Sequence, residues 1–272
     1  MIIVGLTGGI STGKSTVSSY IQEQNSTKYS NSVIIVDADK ISKQIVEFGK
    51  PAYNDIINYF SSKVEAPFEI VDEETNIKQF DRAKLGKFVF APGNEEHLKK
   101  LNQFTHPRVR NEIMLQISKA HLKGYKICLL DVPLLFENMF LRKICYKTVS
   151  TILTDKNVQL ARLVKRNPNI PEEQLLERIN AQKLTNADRE RMADYLIYND
   201  CDDVNDLYKQ VDYLMEHELL PMSDHYHLVE WVFPLLGVLS GFNIIIKNYL
   251  KNDADKDLND TIRLNDFVDV KK

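Results

Sequence analysis

The feature that most constrains the fold of this chain is a glycine-rich turn near the amino terminus. The pattern G-x-x-x-x-G-K-S/T is matched by Gly8, Gly13, Lys14 and Ser15. The apolar run Ile2–Leu6 predicts a strand directly before the turn, and a helix is predicted directly after it, which is the context that the pattern requires. Backbone N–H groups of such a loop, together with the amino end of the helix, bind phosphate oxygens. The pattern therefore predicts a nucleotide triphosphate site.

Short apolar runs rich in β-branched residues recur along the chain, and helical patterns separate them. Runs of this kind are typical of strands buried on both faces of a parallel sheet. Strands that alternate with helices indicate an α/β fold, which we expect to be a three-layer α/β/α domain with a five-stranded parallel sheet. The five predicted strands are Ile2–Leu6, Val33–Val36, Ile127–Leu130, Thr148–Leu153 and Tyr195–Ile197.

Two long helical excursions interrupt this alternation. The first holds four predicted helices, which are too many for a simple crossover, so we predict a helical insert at 51–122 between core segments 1–50, 123–156 and 193–214. Its helices are Pro51–Phe60, Arg82–Phe90, Glu95–Phe104 and Asn111–Leu122. The second excursion, at 157–192, is rich in Lys and Arg although the chain has a net charge of −3, and it predicts a mobile lid. Residues 215–272 are expected to form a carboxyl-terminal extension.

The composition excludes several classes of protein. The hydrophobic share of 43% and the charged share of 27% are ordinary for a globular protein. With a net charge of −3 the chain has no overall basic field for nucleic acid. Three cysteines lack metal-ligand spacing, and Cys128 lies in an apolar run, which favours a buried thiol in a reducing compartment. Because a strand is predicted at the amino terminus in place of a leader, we expect a cytoplasmic protein.

The remaining motifs distinguish a switch, a motor and a transfer enzyme. A GTPase reads guanine with Asn-Lys-x-Asp, but residues 154–157 read Thr-Asp-Lys-Asn. A motor ATPase usually carries an acidic pair after its third strand, whereas here Asp131 is followed by Val132 and Pro133. A small-molecule kinase is the interpretation that remains.

Candidate carboxylates follow the second and third predicted strands. Asp37 and Asp39 stand at the carboxyl end of the second strand, the edge where open parallel sheets bind ligands. A kinase that acts on a hydroxyl needs a carboxylate to orient the acceptor, and we favour Asp39 for this role over an N-cap of the next helix. Lys14 is expected to reach the β- and γ-phosphates. Ser15 and Asp131 are the candidate ligands of Mg²⁺.

Arg162 and Arg166 are the cations of the predicted lid that we expect at the transferring phosphoryl group. They are four residues apart on a predicted helix and therefore share one face. A guanidinium group matches the geometry of phosphoryl oxygens. A solvated, charged helix face explains the same spacing equally well.

Seven separated motifs within residues 1–214 together resemble the dephospho-CoA kinase family. In chain order they are LTGGISTGKSTV, VDADKISKQIV, DRAKLGKFVF, HPRVR, DVPLLFE, QLARLVKR and ADYLIYN. The resemblance implies a P-loop NTPase fold with a nucleotide-binding core, a helical CoA-binding insert and a lid. It also implies ATP-dependent phosphorylation of the ribose 3′-hydroxyl of dephospho-CoA, the last step of coenzyme A biosynthesis.

The resemblance assigns roles to individual residues. Asp39 is implied as the catalytic base, with Lys14, Arg162 and Arg166 as further catalytic groups. ATP is implied to contact Gly8, Gly9, Ile10, Ser11, Thr12, Gly13, Lys14, Ser15, Thr16 and, near adenine, Asn199. The acceptor is implied to contact Asp37, Asp39, Asp81, Arg82, His106 and Arg110. A turn at the end of a strand explains Asn199 as well, and a structural turn before Pro107 explains His106.

Two alternatives to this function stay open. One is a kinase for another nucleotide or small hydroxyl metabolite. The other is a non-catalytic nucleotide-binding scaffold at a membrane. The pair Asp37 and Asp39, with the lid arginines, speaks against a scaffold because nucleotide binding alone needs neither.

The carboxyl-terminal tail contains an apolar segment at 231–250. Its first part reads WVFPLLGVLSGFNIII, shorter than the roughly 20 residues of a membrane-spanning helix and interrupted by Pro234, Gly237 and Gly241. A buried helix, a short anchor and a peripheral membrane contact are left open, and we favour the peripheral contact, at endoplasmic reticulum or mitochondrial membrane. The residues from Lys251 onward are charged and predicted to be disordered. A complex with other enzymes of coenzyme A synthesis is also left open.

Overall fold

The computed structural model describes residues 1–72, 76–201, 203–225, 234–250 and 261–268. Two compact units are formed, one from Met1–Val36 with Lys119–Lys272 and the other from Asp37–Ser118. The first unit contains a six-stranded sheet with helices on both faces, and the second is mostly helical. The predicted α/β fold is confirmed.

The strands of the described residues form two sheets. In chain order they are β1 Ile2–Gly8, β2 Val33–Asp37, β3 Glu69–Val71, β4 Lys78–Phe80, β5 Ile127–Asp131, β6 Lys147–Ile152, β7 Tyr195–Tyr198 and β8 Ile262–Arg263. The main sheet has the order β2-β5-β1-β6-β7-β8, and β3 pairs with β4 in a separate antiparallel ribbon. All five strands expected from apolar runs are therefore confirmed.

The described helices begin mainly at side chains that accept hydrogen bonds. In chain order they are α1 Lys14–Gln24, α2 Ala38–Gln44, α3 Pro51–Phe60, α4 Arg82–Val89, α5 Glu95–Leu122, α6 Met139–Ile144, α7 Lys156–Arg166, α8 Glu172–Asn180, α9 Asn186–Met192, α10 Val204–Tyr213 and α11 Pro234–Leu250. A π-helical stretch, Leu214–Leu219, continues α10. The N-cap side chains that accept from a backbone N–H of the first turn are Asp37, Asp81, Asn138, Asp155, Thr185 and Asp203.

The centre of the main sheet is β1. It pairs in parallel with β5, where Leu6 lies opposite Asp131, and with β6, where Gly8 lies opposite Thr151. From β1 the chain passes to β2 on one side, and from β5 it returns to β6 on the other side. The loop after β1 thus stands where the strand order reverses, which is the position at which open α/β sheets bind ligands.

Both faces of the sheet are buried, which explains the nearly unbroken apolar runs of its strands. On one face Val4 and Leu6 belong to a core that includes residues of α1 and α10, and the Tyr20 and Tyr208 rings stack with centroids 4.0 Å apart. The burial predicted for Cys128 is confirmed. Burial raises the pKa of its thiol to about 12, so the thiol remains protonated at neutral pH.

The prediction of five strands is wrong by one, because the main sheet gains β8 from the carboxyl-terminal tail. Residues 261–268 were expected to be disordered, but Ile262 pairs in parallel with Tyr195 of β7 and Leu264 is 0% exposed in the core. The Phe267 ring also stacks on Tyr213 at 5.2 Å. A two-residue strand beside charged residues has no apolar periodicity. The other residues expected to be disordered, 251–260 and 269–272, lie outside the described part of the chain.

The two helices expected at Glu95–Phe104 and Asn111–Leu122 are one continuous helix, α5, which contains Pro107. Proline removes a backbone donor and normally breaks a helix. Here the Arg108 guanidinium donates to the Phe104 carbonyl at 2.6 Å and to the Asp55 carboxylate of α3 at 2.6 Å. These bonds tie the helix together across the proline within the second unit.

The second unit has an aromatic core of its own. Its buried residues include Tyr53 and Phe60 of α3, Leu85 of α4, Phe80 of β4 and Phe68, which directly precedes β3. The ribbon was not predicted, because its strands are only three residues long and mostly exposed. The predicted helix Pro51–Phe60 is confirmed as α3.

Helix α11 contains the described part of the apolar tail segment; 231–233 lie outside the described residues. Among the helices of the described residues, none is long and apolar enough to cross a membrane. The Asn248 amide donates to the carbonyls of Lys143 at 3.1 Å and Cys145 at 2.7 Å, and this fixes α11 to the end of α6. Phe242 and Leu250 are exposed.

If β8 stabilises the sheet through the burial of Leu264, the substitution Leu264→Ala should lower the free energy of unfolding by about 2–5 kcal/mol. Leu250→Ala is the matched control, because that leucine is 76% exposed. It should change the free energy of unfolding by less than about 0.5 kcal/mol. Urea denaturation followed by circular dichroism measures both, and equal losses in the two variants would contradict the docking of β8.

Candidate active site

The phosphate loop, residues 8–15, turns sharply between β1 and α1. Ser11 and Gly13 have positive φ values of 58° and 101°, and the Thr12 hydroxyl donates to the Gly9 carbonyl at 2.9 Å. The backbone N–H of Thr12 points to the same carbonyl at 3.4 Å. The loop therefore closes on itself before the first turn of α1, as the glycine pattern predicts.

The ends of neighbouring strands contact the loop and leave no room for a side chain at Gly8 or Gly13. A Cβ atom on Gly13 would collide with the Asn199 amide at the end of β7, and one on Gly8 would collide with the Thr151 hydroxyl of β6. The Asn199 side chain also donates to the Thr12 carbonyl at 3.0 Å. The ends of β6 and β7 thus support the loop directly.

The loop lysine and the carboxylate after β5 form an ion pair. Lys14 Nζ donates to Asp131 Oδ1, and the two side chains are 15% and 5% exposed. Register explains the contact, because Asp131 lies beside Leu6 of β1. Ser15 is exposed next to Lys14 in the first turn of α1. A hydroxyl and a buried carboxylate so placed are the hard oxygen ligands that Mg²⁺ prefers, so these residues fit the ion.

Two glutamines from the segment α7–α9, residues 156–192, hold the backbone of Ile10. The Gln159 amide donates to the Ile10 carbonyl at 2.6 Å, and the Ile10 N–H donates to Gln182 Oε1 at 2.9 Å. The Ile10 side chain packs against the apolar core of α7 and α8, which includes Leu163 and Leu175. The sequence analysis assigned no role to either glutamine, although Gln159 is the first residue of the motif QLARLVKR.

A buried arginine supports one of these glutamines. Arg189 of α9 is 5% exposed and donates to Gln182 Oε1 at 3.3 Å and to the Leu184 carbonyl at 2.8 Å. Burial lowers the pKa of Arg189 below its usual value. A Cβ atom on Gly9 would lie 3.6 Å from its guanidinium, so this cation stands against the phosphate loop. A capping box that begins at Thr185 and starts α9 was the available sequence signal.

The two arginines singled out in α7 have different surroundings. The Arg162 guanidinium donates to the carbonyls of Asn199 at 3.1 Å and Cys201 at 3.4 Å, which follow β7. Arg166 is exposed in the last turn of α7, and within the described part of the chain its side chain has no hydrogen bond or ion pair. Arg162 therefore fastens α7 to the core, and Arg166 is available for a ligand.

In the second unit the candidate carboxylates Asp37 and Asp39 have different surroundings. Asp37 Oδ1 accepts from the Lys40 N–H at 3.0 Å and caps α2. The N-cap interpretation of Asp39 is therefore wrong. The Asp39 carboxylate is exposed in the first turn of α2 and has no hydrogen bond or ion pair among the described residues.

The other candidates of the second unit lie on α4 and α5. Asp81 caps α4 by accepting from the Lys84 N–H at 2.9 Å, and the Arg82 guanidinium lies 5.9 Å from the centroid of the Phe80 ring. His106 and Arg110 are both exposed, four residues apart on α5, and so share one face. His106 lies inside a helix, so its interpretation as a turn residue is wrong.

Comparison with known proteins gives one consistent match. The family model described as Dephospho-CoA kinase, CoaE, matches residues 2–205. Dephospho-CoA kinase CAB5 of Saccharomyces cerevisiae is 41% identical over 252 residues, which cover 92% of this chain and 95% of that protein. Dephospho-CoA kinase of Bacillus anthracis is 38% identical over 199 residues, which cover 73% of this chain and 88% of that protein.

Solved structures share the fold. TT1252 from Thermus thermophilus matches with a TM-score of 0.61 and 23% identity, covering 80% of this chain and 97% of its own. Dephospho-CoA kinase from Campylobacter jejuni matches with a TM-score of 0.50 and 22% identity, covering 80% of this chain and 96% of its own.

The contact between Asn199 and Gly13 can be tested by adding a methyl group at the glycine. Gly13→Ala should lower the free energy of unfolding by about 1–3 kcal/mol more than Gly124→Ala. Gly124 is the matched control because it also has a positive φ, 80°, but faces open space. Adding Asn199→Ala should recover part of the excess in the Gly13 variant only. Equal losses at the two glycines in urea denaturation would refute the collision.

Proposed function

Because the chain belongs to the dephospho-CoA kinase family, we propose that it transfers the γ-phosphoryl group of ATP to the ribose 3′-hydroxyl of dephospho-CoA. The products are coenzyme A and ADP, and the reaction is the final step of coenzyme A biosynthesis. The observation that carries the proposal is the phosphate loop at the reversal of strand order, with Lys14 paired to Asp131 beside it.

ATP binds along the phosphate loop in this proposal. The backbone from Gly8 to Thr16 and the positive end of α1 surround the β- and γ-phosphates. The Lys14 ammonium offsets their charge, and its bond to Asp131 supports this role by holding the ammonium at the loop. Asn199 fixes the loop through Thr12, and we propose that it lies near the adenine.

Ser15 and Asp131 are the residues that would hold Mg²⁺. When bound, the ion supplies positive charge that offsets the charge on the phosphate oxygens during transfer. The exposed hydroxyl of Ser15 and the buried carboxylate of Asp131 support this assignment.

Asp39 acts as the general base. As the 3′-oxygen forms its bond to the γ-phosphorus, the bond from that phosphorus to the β,γ-bridging oxygen breaks and ADP leaves. The proton of the hydroxyl passes to the Asp39 carboxylate. The absence of any competing side-chain bond at Asp39 among the described residues supports this role, and Asp37 supports it by fixing the start of α2.

The segment α7–α9 acts as the lid. Arg166 contacts the transferring phosphoryl group, whose oxygens carry the charge that develops in the transition state. Arg162 joins this segment to the end of β7, and Arg189 stands against the loop at Gly9. In this proposal Arg166 binds the phosphoryl group, while Arg162 and Arg189 hold the lid against the sheet and the phosphate loop.

The second unit receives dephospho-CoA. Arg82, His106 and Arg110 are the side chains proposed to contact it, since the acceptor carries a pyrophosphate that guanidinium groups and other N–H donors recognise. Asp81 caps α4, and this bond fixes the residue immediately before Arg82. Asp37 and Asp39 complete the proposed acceptor site.

We further propose that the enzyme is cytoplasmic and that residues 231–250 make a peripheral membrane contact. Exposed Phe242 and Ile246 of α11 support it. The same face is proposed to contact other enzymes of coenzyme A synthesis.

The membrane contact is tested at the two exposed side chains of α11. Phe242→Glu with Ile246→Glu should release the protein from a membrane pellet, whereas Phe90→Glu, at an exposed phenylalanine of the second unit, should not. A full chain that never enters the pellet refutes the membrane contact.

The assignment of the base is tested by Asp39→Asn. The variant should lower kcat by about 10²- to 10⁴-fold, because the amide cannot accept the proton of the hydroxyl. The free energy of unfolding should stay unchanged, since Asp39 is exposed and without side-chain partners in the described residues. Glu47→Gln, at another exposed carboxylate of the second unit, should leave kcat unchanged. Wild-type turnover by Asp39→Asn in a coupled ADP assay would overturn the assignment.

Substitutions of the two arginines of α7, Arg162 and Arg166, should differ in their effects on the free energy of unfolding. Arg166→Ala should lower kcat at least about a hundredfold, as for loss of one transition-state donor, and leave stability unchanged. Arg162→Ala should also lower the free energy of unfolding by about 1–3 kcal/mol, since two carbonyls lose their donor. Lys165→Ala controls for general charge loss on this helix. Identical profiles for the two arginine variants would contradict their different surroundings.

A further inference from the structure

A cavity of about 180 Å³ lies at the opposite end of the sheet from the phosphate loop. It is bounded by α6, α11, the first residues of β6 and Asp194, which directly precedes β7. All of these belong to the first unit. The six residues of β6 extend for about 20 Å, at about 3.3 Å per residue. The cavity lies at the amino end of β6, whereas the phosphate loop lies at the carboxyl end of the neighbouring parallel strand, β1. The cavity is thus separate from the candidate active site.

Cations from three different elements converge on this cavity. They are Arg142 and Lys143 of α6, Lys147 of β6 and Lys247 of α11. The position of the first two at the end of α6 is explained by the helix dipole, which favours cations there. That explanation does not extend to Lys147 and Lys247, which come from other elements.

One described residue of the lining, Asp194, is acidic, and its carboxylate holds the start of β6. Asp194 Oδ2 accepts from the Thr148 N–H at 2.9 Å and from the Thr148 hydroxyl at 2.8 Å. These bonds fix the start of β6 against the start of β7. Among the described residues that line the cavity, four are cationic and Asp194 alone is acidic, so the described lining has a net positive charge.

The lysines of the cavity keep their ammonium donors available. Lys143 Nζ lies 3.7 Å from the centroid of the Tyr249 ring, and Lys147 Nζ lies 5.7 Å from that of Tyr195. Such cation–π contacts orient an ammonium group without using its N–H donors on an acceptor oxygen. Within the described part of the chain, neither these two lysines nor Lys247 forms an ion pair.

We propose that this cavity binds the phosphate group of an organic phosphate. The ammonium groups of Lys143, Lys147 and Lys247, held around one space, repel one another unless an anion lies among them. Met139, Met192 and Ile244 add an apolar wall that suits the carbon part of such a ligand. The phosphate group belongs either to a soluble phosphorylated small molecule or to the headgroup of an anionic phospholipid.

Methionine methyl groups report directly on this site. The chain has six methionines, of which Met139 and Met192 line the cavity. Met215 is buried in the core with Val4 and Leu6, does not line the cavity and serves as the internal control. In the full chain labelled with ¹³C-methyl methionine and saturated with Mg-ADP, glycerol 3-phosphate should shift the Met139 and Met192 signals. The Met215 signal should stay in place, and uncharged glycerol should shift none of them.

Variants separate this site from a general charge effect. Lys247→Gln should weaken the binding of glycerol 3-phosphate about tenfold, because a charge-assisted contact is lost. Lys247→Arg should retain it. The control Lys123→Gln, at an exposed lysine that does not line the cavity, should leave it unchanged. Kinase turnover should be the same in all three variants, so failure of this site and failure of the proposed catalysis give different results.

A vesicle experiment distinguishes the two sources of the phosphate group. Flotation with phosphatidylcholine vesicles that contain phosphatidic acid, lost in Lys247→Gln and absent with phosphatidylcholine alone, assigns a lipid headgroup. Methionine shifts that depend on Lys247 without such flotation assign a soluble phosphate. The proposal is overturned if neither probe binds, or if Lys247→Gln and Lys123→Gln behave alike.

Discussion

The backbone of the phosphate loop is the constraint on which the rest of the first unit depends. Its conformation leaves main-chain groups without partners inside the loop, and other segments supply them. Asn199 donates to the Thr12 carbonyl, Gln159 donates to the Ile10 carbonyl, and Gln182 accepts from the Ile10 N–H. Because these side chains come from the end of β7, from α7 and from the turn after α8, the loop ties the sheet to the segment α7–α9.

The loop could be predicted from sequence because its requirements are local. Gly13 needs a positive φ and the absence of a Cβ, and both are recorded in a short motif between a strand and a helix. The glutamines that hold Ile10 could not be predicted. They lie more than a hundred residues away, and although Gln159 opens the motif QLARLVKR, nothing in the sequence shows that its amide contacts the Ile10 backbone. The resemblance to a family predicted the function because it combined seven such local motifs.

The parts of the fold that were predicted wrongly also depend on contacts between residues that are distant in sequence. Pro107 is a local signal for a helix end, but Arg108 bonds to Phe104 and to Asp55 of another helix, and this tertiary contact overrides the local preference. The tail reads as charged, yet Leu264 fills the core next to β7 and β8 covers the edge of the sheet. In both cases the deciding partner is distant in sequence.

The proposed phosphoryl transfer takes place at a loop whose lysine is paired with a buried carboxylate where the strand order reverses. The most direct test is to incubate the purified chain with Mg²⁺, ATP and dephospho-CoA and to identify the product by ³¹P NMR. We expect ADP and a new phosphomonoester on the ribose 3′-oxygen in equal amounts. Release of ADP without that phosphomonoester, or no reaction with dephospho-CoA, would contradict the account.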